Sequence, residues 1–198
     1  MKELVVATRN LGKLQEIRLL LDGVVDTVRC AADFADFPET IEDGNTFRDN
    51  ALKKAREAMQ FSGLPALADD SGLVVDVLEG RPGVHSARFA GEGAGDAANN
   101  RRLLEELSAI PGDRCQAAFV CVLAFVSPDG REQVFSGRVA GSILTSERGE
   151  EGFGYDPLFL VAGFDRTMAE LTLQEKNAIS HRGQALQQFK EFLSRGGA

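Results

Sequence analysis

A short apolar run, Leu4-Val5-Val6-Ala7, leads without a break into Thr8-Arg9-Asn10-Leu11-Gly12-Lys13 and then into Leu14, Ile17 and Leu21 at helical spacing. A continuous apolar run of this kind reads as a buried strand, and the spaced leucines and isoleucine as an amphipathic helix stopped at Gly23. A strand that turns at once into a helix gathers backbone N–H groups at the positive end of the helix dipole, where an anion is favoured. The turn is close to a P-loop without being one. A P-loop needs glycine at both ends of its gap, then lysine and a metal-binding hydroxyl. Ala7 stands at the first glycine position and Leu14 at the hydroxyl position, which excludes a P-loop kinase. The hydroxyl of Thr8, the amide of Asn10 and the ammonium of Lys13 remain for chemistry. The plainer reading of the same residues is Asn10 as a helix cap and Lys13 as a solvated side chain.

The rest of the chain alternates strand and helix patterns. Val24–Arg29 is expected to be a strand, and the acidic stretch from Asp33 to Asn45, broken by Pro38 and Gly44, a loop. Thr46–Phe61 is expected to be a helix, with Thr46 and Asp49 in a weak version of the capping box and with Asn50 and Lys54 on one face. Leu64–Ala68 and Leu73–Leu78 are strand candidates, separated by Asp69-Asp70-Ser71-Gly72, whose composition is that of a turn. A helix over Asn99–Ile110, long strands over Ala117–Val126 and Gln133–Ala140, a Gly-rich loop over Gly149–Pro157, a short helix capped by Thr172 and Glu175, and a last helix capped by Ser180 complete the reading. The 198 residues, 43% hydrophobic and 26% charged, suit a single folded α/β domain, with a bilobed form as one option.

Composition also bounds function. A net charge of −8 argues against a general nucleic-acid partner, while leaving room for a local cationic cleft. Cys30, Cys115 and Cys121 are too few and too unevenly spaced for a disulfide framework or a zinc site. No leader segment and no membrane-spanning run is visible, so a cytoplasmic protein with no membrane partner is expected. The glycines at Gly91, Gly93 and Gly95 lack the preceding strand of a dinucleotide site, and neither His85 nor His181 has a visible serine-protease-like partner.

Three further stretches carry chemistry. At a strand end, Asp69 and Asp70 would point to opposite faces, one into a cleft and one to solvent. Oxygen ligands of this kind favour magnesium, with Glu42 as a second carboxylate. Phe153-Gly154-Tyr155-Asp156-Pro157 offers aromatic faces and an acid suited to a nucleobase. Lys176, His181 and Arg182 place hydrogen-bond donors near a helix start.

In order along the chain stand Thr8-x-Asn10-x-x-Lys13, Asn50-Ala51-x-x-Lys54-Ala55, Ala68-Asp69-Asp70-Ser71-Gly72-Leu73, Pro82-Gly83-x-x-Ser86-Ala87-Arg88, Phe153-Gly154-Tyr155-Asp156-Pro157 and Ser180-His181-Arg182-Gly183. As a set they resemble the inosine triphosphate pyrophosphatase family, enzymes that hydrolyse deaminated purine nucleoside triphosphates, and the resemblance runs from Leu4 to about Phe192. It implies an α/β fold with a central curved mixed sheet flanked by helices, two lobes about a cleft, a homodimer and a Mg2+ requirement. By position, Thr8, Asn10 and Lys13 of the Thr8–Lys13 turn (with Arg9, Leu11 and Gly12), Lys54 and Ser71 would bind the triphosphate. Asp70 would be general base and metal ligand, with Glu42 beside it on the metal. Phe153 would stack on the base, and Gly154, Tyr155, Asp156, Lys176, His181 and Arg182 would complete the base and sugar pocket. The substrates implied are ITP, dITP and XTP. The alternatives are a pyrophosphatase for other modified nucleotides and a nucleotide-binding module without turnover.

Overall fold

The computed structural model describes residues 1–108, 110 and 115–197. Its strands are β1 (Glu3–Val6), β2 (Thr27–Cys30), β3 (Ala66–Val75), β4 (Cys115–Val126), β5 (Glu132–Ile143) and β6 (Phe159–Val161). The helices are α1 (Leu11–Leu21), α2 (Phe47–Ser62), α3 (Asp96–Ser108), α4 (Leu173–Ile179) and α5 (His181–Ser194). The strands form one six-stranded sheet in the order β2-β1-β3-β4-β5-β6. It is mixed: β1 pairs parallel with β2 and β3, and β5 pairs antiparallel with β6. The chain divides into two compact units, Met1–Asp70 with Cys121–Gly137 and Arg182–Ala198, and Ser71–Val120 with Arg138–His181.

In the first unit the strand pleat sorts side chains onto two faces. Leu4, Val6, Leu67, Cys121, Leu123 and Phe125 pack with Leu14, Ile17 and Leu21 of α1 and with Leu186 and Phe189 of α5. Ala68, Ala124 and Val126, from the alternate positions, pack against Ala51, Leu52 and Ala55 of α2, whose small residues let the helix lie close to the sheet. The second unit has its own core, built from Leu73, Leu103, Phe119, Tyr155, Phe159 and Met168 among others.

Local signals set most boundaries. Asn10 caps α1, its side chain accepting the Lys13 N–H at 2.9 Å, and Gly23 follows the helix with a left-handed φ of 70°. Thr46 caps α2 by accepting from Asp49 N–H. Asp49 answers through the Thr46 hydroxyl, at 2.7 Å, because an Asp at this position is one methylene shorter than the Glu of a full box. The Thr172–Glu175 box is complete. Helix α3 is described to Ser108 and Ile110 lies in a bend, so the expected helix falls short of Ile110, while position 109 lies outside the described residues.

The expected turn at Asp69-Asp70-Ser71-Gly72 is absent: these residues lie inside the single strand β3. Gly72 is there for close approach. A Cβ at this position would lie 2.4 Å from Ser86 Oγ and 2.5 Å from the Gly83 carbonyl. That space is taken by the Ser86 hydroxyl, which accepts the Leu73 N–H at 2.9 Å and donates to Gly83 at 2.6 Å. Strand β6, three residues long and paired to the end of β5, carries no periodic signal in sequence.

Because backbone and a hydrogen-bonded hydroxyl fill the space beside Gly72, Gly72→Ala is expected to lower the unfolding free energy by about 1–3 kcal/mol. The check is a urea titration; an unchanged midpoint would show that the Ser86 contact yields.

Candidate active site

Both carboxylates of the pair on β3 are buried, Asp69 to 2% and Asp70 to 5% exposure. The expectation that one meets solvent is therefore wrong. The pleat sends Asp69 to the face shared with Leu67, where α1 and α5 lie, and Asp70 to the face shared with Ala68, where α2 lies.

Asp69 meets a charge network. Its carboxylate accepts from the Lys13 ammonium, from Arg182 Nε at 3.0 Å and from the Cys121 thiol at 3.0 Å. Arg182 Nη1 in turn donates to Glu16. Two carboxylates here face two cations. Burial opposes ionisation of Asp69, but the Arg182 and Lys13 charges win and hold its carboxyl well below the usual range. Burial, reinforced by the Asp69 charge, pushes the Cys121 thiol well up, so it stays a neutral donor.

Asp70 meets a different balance. Its Oδ1 accepts from Lys54 Nζ at 2.8 Å, and the same ammonium reaches Glu42 Oε1 at 2.7 Å. Asn50 ties the arrangement together: its Nδ2 donates to Asp70 at 3.3 Å and its Oδ1 accepts the Gly44 N–H at 2.8 Å. Gly44 is glycine because a Cβ would lie 2.6 Å from that oxygen, and the contact draws the acidic loop carrying Glu42 toward α2. Asp70, Glu42 and Lys54 together carry one negative charge in excess. Burial raises the Asp70 carboxyl above its ordinary value, Lys54 opposing and the Glu42 charge adding to the rise. Lys54 is raised as well, Asp70 and Glu42 outweighing its burial.

The strand-to-helix turn brings Asn10 N–H within 3.2 Å of Thr8 Oγ1. Asn10 is thus a cap, and Lys13 is an ion-paired side chain and not a solvated one. Arg9 is exposed, with Nη2 on the Phe37 carbonyl at 3.0 Å; Leu11 is 78% exposed and Gly12 sits in the first turn of α1. With Leu14, Thr8, Arg9 and Leu11 line an open groove of about 340 Å³ that extends to Phe34 and Phe37.

In the second unit Asp156 and Lys176 form a buried pair at 2.6 Å. The Lys176 ammonium also lies 4.6 Å from the centre of the Phe153 ring, a cation–π contact, while Asp156 accepts the Phe153 N–H at 2.9 Å. Gly154 has a left-handed φ of 62°. Tyr155 is buried and its hydroxyl donates to the Ser86 carbonyl at 2.9 Å, and burial pushes its phenol up. His181 stacks on Phe119 with ring centres 5.0 Å apart. Ser71 follows Asp70 along β3 and is half-buried.

Arg182 is the residue whose placement departs most from a pocket-lining donor. It is 1% exposed, and Nε, Nη1 and Nη2 are directed at Asp69 and Glu16. Sequence reasoning named Asp69 only as one of a carboxylate pair and Asn50 only as sharing a face with Lys54, and it passed over Glu16. The signal for Asn50 was its spacing from Lys54; Glu16, about 100° around α1 from Ile17, carried none.

Residues 4–192 match the model of the Ham1 family. The chain belongs to that family. Among Ham1 relatives, the dITP/XTP pyrophosphatase of Geobacter sulfurreducens is 58% identical over 193 residues, which cover 98% of this chain and 97% of that one. The corresponding protein of Desulforamulus reducens is 51% identical over 98% and 96% of the two chains. Among solved structures, a HAM1 protein from Coxiella burnetii superposes with a TM-score of 0.88 at 44% identity, over 98% of this chain and 100% of that chain. The Ham1 protein of Staphylococcus aureus gives 0.87 at 39%, with the same coverage. The mixed sheet flanked by helices is the Ham1 fold.

Asp69 supplies a stability test. Its folded carboxyl titrates below the ordinary value of 3.8, so its contribution is complete above that pH and is lost as pH falls through the folded value. Asp69→Asn, which leaves buried cations uncompensated, is expected to cost about 3–5 kcal/mol at neutral pH. The gap to the unaltered protein should narrow below pH 3.8. Urea midpoints at neutral and acid pH measure it; a constant gap would remove Asp69 as the titrating group.

Proposed function

We propose that this protein hydrolyses deaminated purine nucleoside triphosphates (ITP, dITP and XTP) to the monophosphate and pyrophosphate. The observation that carries the reading is the gathering of Asp70 and Glu42 on the Lys54 ammonium, beside an anion-favouring strand-to-helix turn. The names of the Ham1 relatives support the substrate class.

The donor set suits magnesium. Two carboxylates already share one cation and carry excess negative charge. Magnesium commonly binds through one or two carboxylates and completes its shell with water and substrate phosphates. Asp70 and Glu42 would hold it, and when bound it would offset charge on the phosphates.

Most of the chemistry asked of the chain is alignment and charge neutralisation. Lys13 and Lys54 take the triphosphate with the N–H groups of the Thr8–Lys13 turn, and Ser71 adds a hydroxyl. Asp70 orients a water toward the α-phosphorus and receives its proton; its raised carboxyl pKa makes it a better base than an exposed aspartate. Phe153, steadied by Lys176, stacks on the base, with Tyr155 and Asp156 fixing the loop around it. His181 offers a donor to the six-position carbonyl of hypoxanthine or xanthine. Adenine has an amine there, so two donors would face each other and go unsatisfied. Arg182 acts through Asp69, holding the acid that positions Lys13. A homodimer in the cytoplasm is the setting this reading implies. Among the described residues no helix is long and apolar enough to cross a membrane.

Pyrophosphate release from ITP, XTP, GTP and ATP with magnesium tests the reading. ITP and XTP should exceed ATP by roughly two orders of magnitude or more, and Asp70→Asn should lower kcat about 10²–10⁴-fold. Equal rates on all four substrates, or full activity in the variant, would refute it. Tight ITP binding without pyrophosphate release would point instead to a binding module.

A further inference from the structure

The first turn of α3 reaches three separate stretches of chain with three polar side chains. Asp96 Oδ2 accepts the Gly154 N–H at 2.7 Å. Asn99 accepts the Ala90 N–H at 2.8 Å through Oδ1 and donates to the Ala87 carbonyl at 3.1 Å through Nδ2. Asn100 Nδ2 donates to Glu147 at 2.9 Å. Residues three and four positions apart share a helix face, so Asp96 stands with Asn99 and Asn100 on one side of the turn. The two asparagines are buried and fix the helix, and Asp96 extends from that fixed turn to Gly154.

Gly154 needs such an anchor. Its φ of 62° is left-handed, and among the described residues no atom beyond the flanking ones lies within 4 Å of where its Cβ would be, so packing does not hold it from that side. Within the loop, Asp156 accepts the Phe153 N–H at 2.9 Å and pairs with Lys176 of α4 at 2.6 Å, contacts that hold Phe153 and Asp156 but not the Gly154 N–H. The Asp96 contact supplies a tie, one residue from Phe153 on one side and one from Tyr155 on the other.

We propose that Asp96 is a positioning residue for base recognition. By holding the Gly154 N–H it sets the Phe153 ring for stacking on the purine, apart from the groups that take the triphosphate. The proposal rests on the assignment of Phe153 as the stacking face.

The chain has one tyrosine and no tryptophan, so its intrinsic fluorescence comes from Tyr155, inside the loop. Two variants separate the roles: Asp96→Ala removes the acceptor, and Asp96→Asn keeps a side-chain oxygen able to accept. Asp96→Ala is expected to increase acrylamide quenching of Tyr155 and to raise KM for ITP about tenfold, the usual loss for a hydrogen bond to a charged group. Its kcat should change by less than about twofold. Asp96→Asn should recover most of both losses. Asp96 is exposed, so both variants should melt close to the unaltered protein. Unchanged quenching and KM in Asp96→Ala would overturn the proposal. So would a loss confined to kcat, or an Asp96→Asn variant as defective as Asp96→Ala. Failure of the unaltered protein to release pyrophosphate from ITP would overturn the functional reading itself, and it shows before any variant is made.

Discussion

Two adjacent carboxylates on a buried strand can both stay ionised only if the pleat separates them and each finds its own cations. In β3 that condition is met. Asp69 is enclosed with Arg182, Lys13 and Glu16, a set whose charges balance. An ion desolvated without partners would cost several kcal/mol, and even a good pair returns little net stability. The gain is geometric: Asp69 and Arg182 join β3 to α5, Lys13 joins it to α1, and the first turn of α1 is thereby set at the end of β1. Asp70, one residue on, lies in a set with one negative charge left over. The balanced side fixes the scaffold, and the unbalanced side is where a cation and a proton have reason to be.

How far the sequence discloses this depends on how far apart the partners lie along the chain. Caps were legible because their partners are three residues away, as with Asn10 and Lys13 or Thr172 and Glu175. The strand over Asp69-Asp70-Ser71-Gly72 was not legible. These are turn-forming residues by local preference, and what overrides the preference comes from distant residues. Lys13 lies 56 positions from Asp69, and Arg182 lies 113. Gly72 misleads in the same way. Its composition suggests a turn, while its actual reason is the Ser86 hydroxyl 13 residues beyond the neighbouring Leu73 N–H. The pairing of Lys54 with Asp70 and Glu42, at separations of 16 and 12, falls between. The residue types and the α2 spacing pointed to the site, and only the fold showed that one ammonium serves both acids.

The ordered motifs identified the family, but they did not distinguish residues placed to face a substrate from residues that hold those in place. His181 and Arg182 are neighbours in a single motif. Successive residues on a helix point about 100° apart, and at the start of α5 one ring stacks on Phe119 while the next side chain enters the Asp69 network. Read as a motif they form a donor pair; read on a helix they have separate partners. Arg182 is therefore better understood as support for Lys13 than as a second reader of the base.

The same charge count bears on why the proposed reaction would need a divalent cation. Lys13 and Lys54 are each matched by carboxylates before substrate arrives. A triphosphate must compete with Asp69 for the first ammonium and with Asp70 and Glu42 for the second. When Lys13 turns toward phosphate, Arg182 continues to neutralise Asp69, so that acid is not stranded in the interior. For Asp70 the remaining hydrogen-bond donor among the described residues is the neutral amide of Asn50 at 3.3 Å, with the Lys13 charge acting from farther off. Two carboxylates and a polyphosphate would then share two ammonium groups, an arrangement still in excess of negative charge unless further positive charge enters with the substrate. On this reading a magnesium ion held by Asp70 and Glu42 would offset the protein's own acids as well as the charge of the phosphates. Glu42, on the loop that the Gly44–Asn50 contact draws toward α2, would add to the need for that extra charge and, in the proposed reaction, would help to hold it.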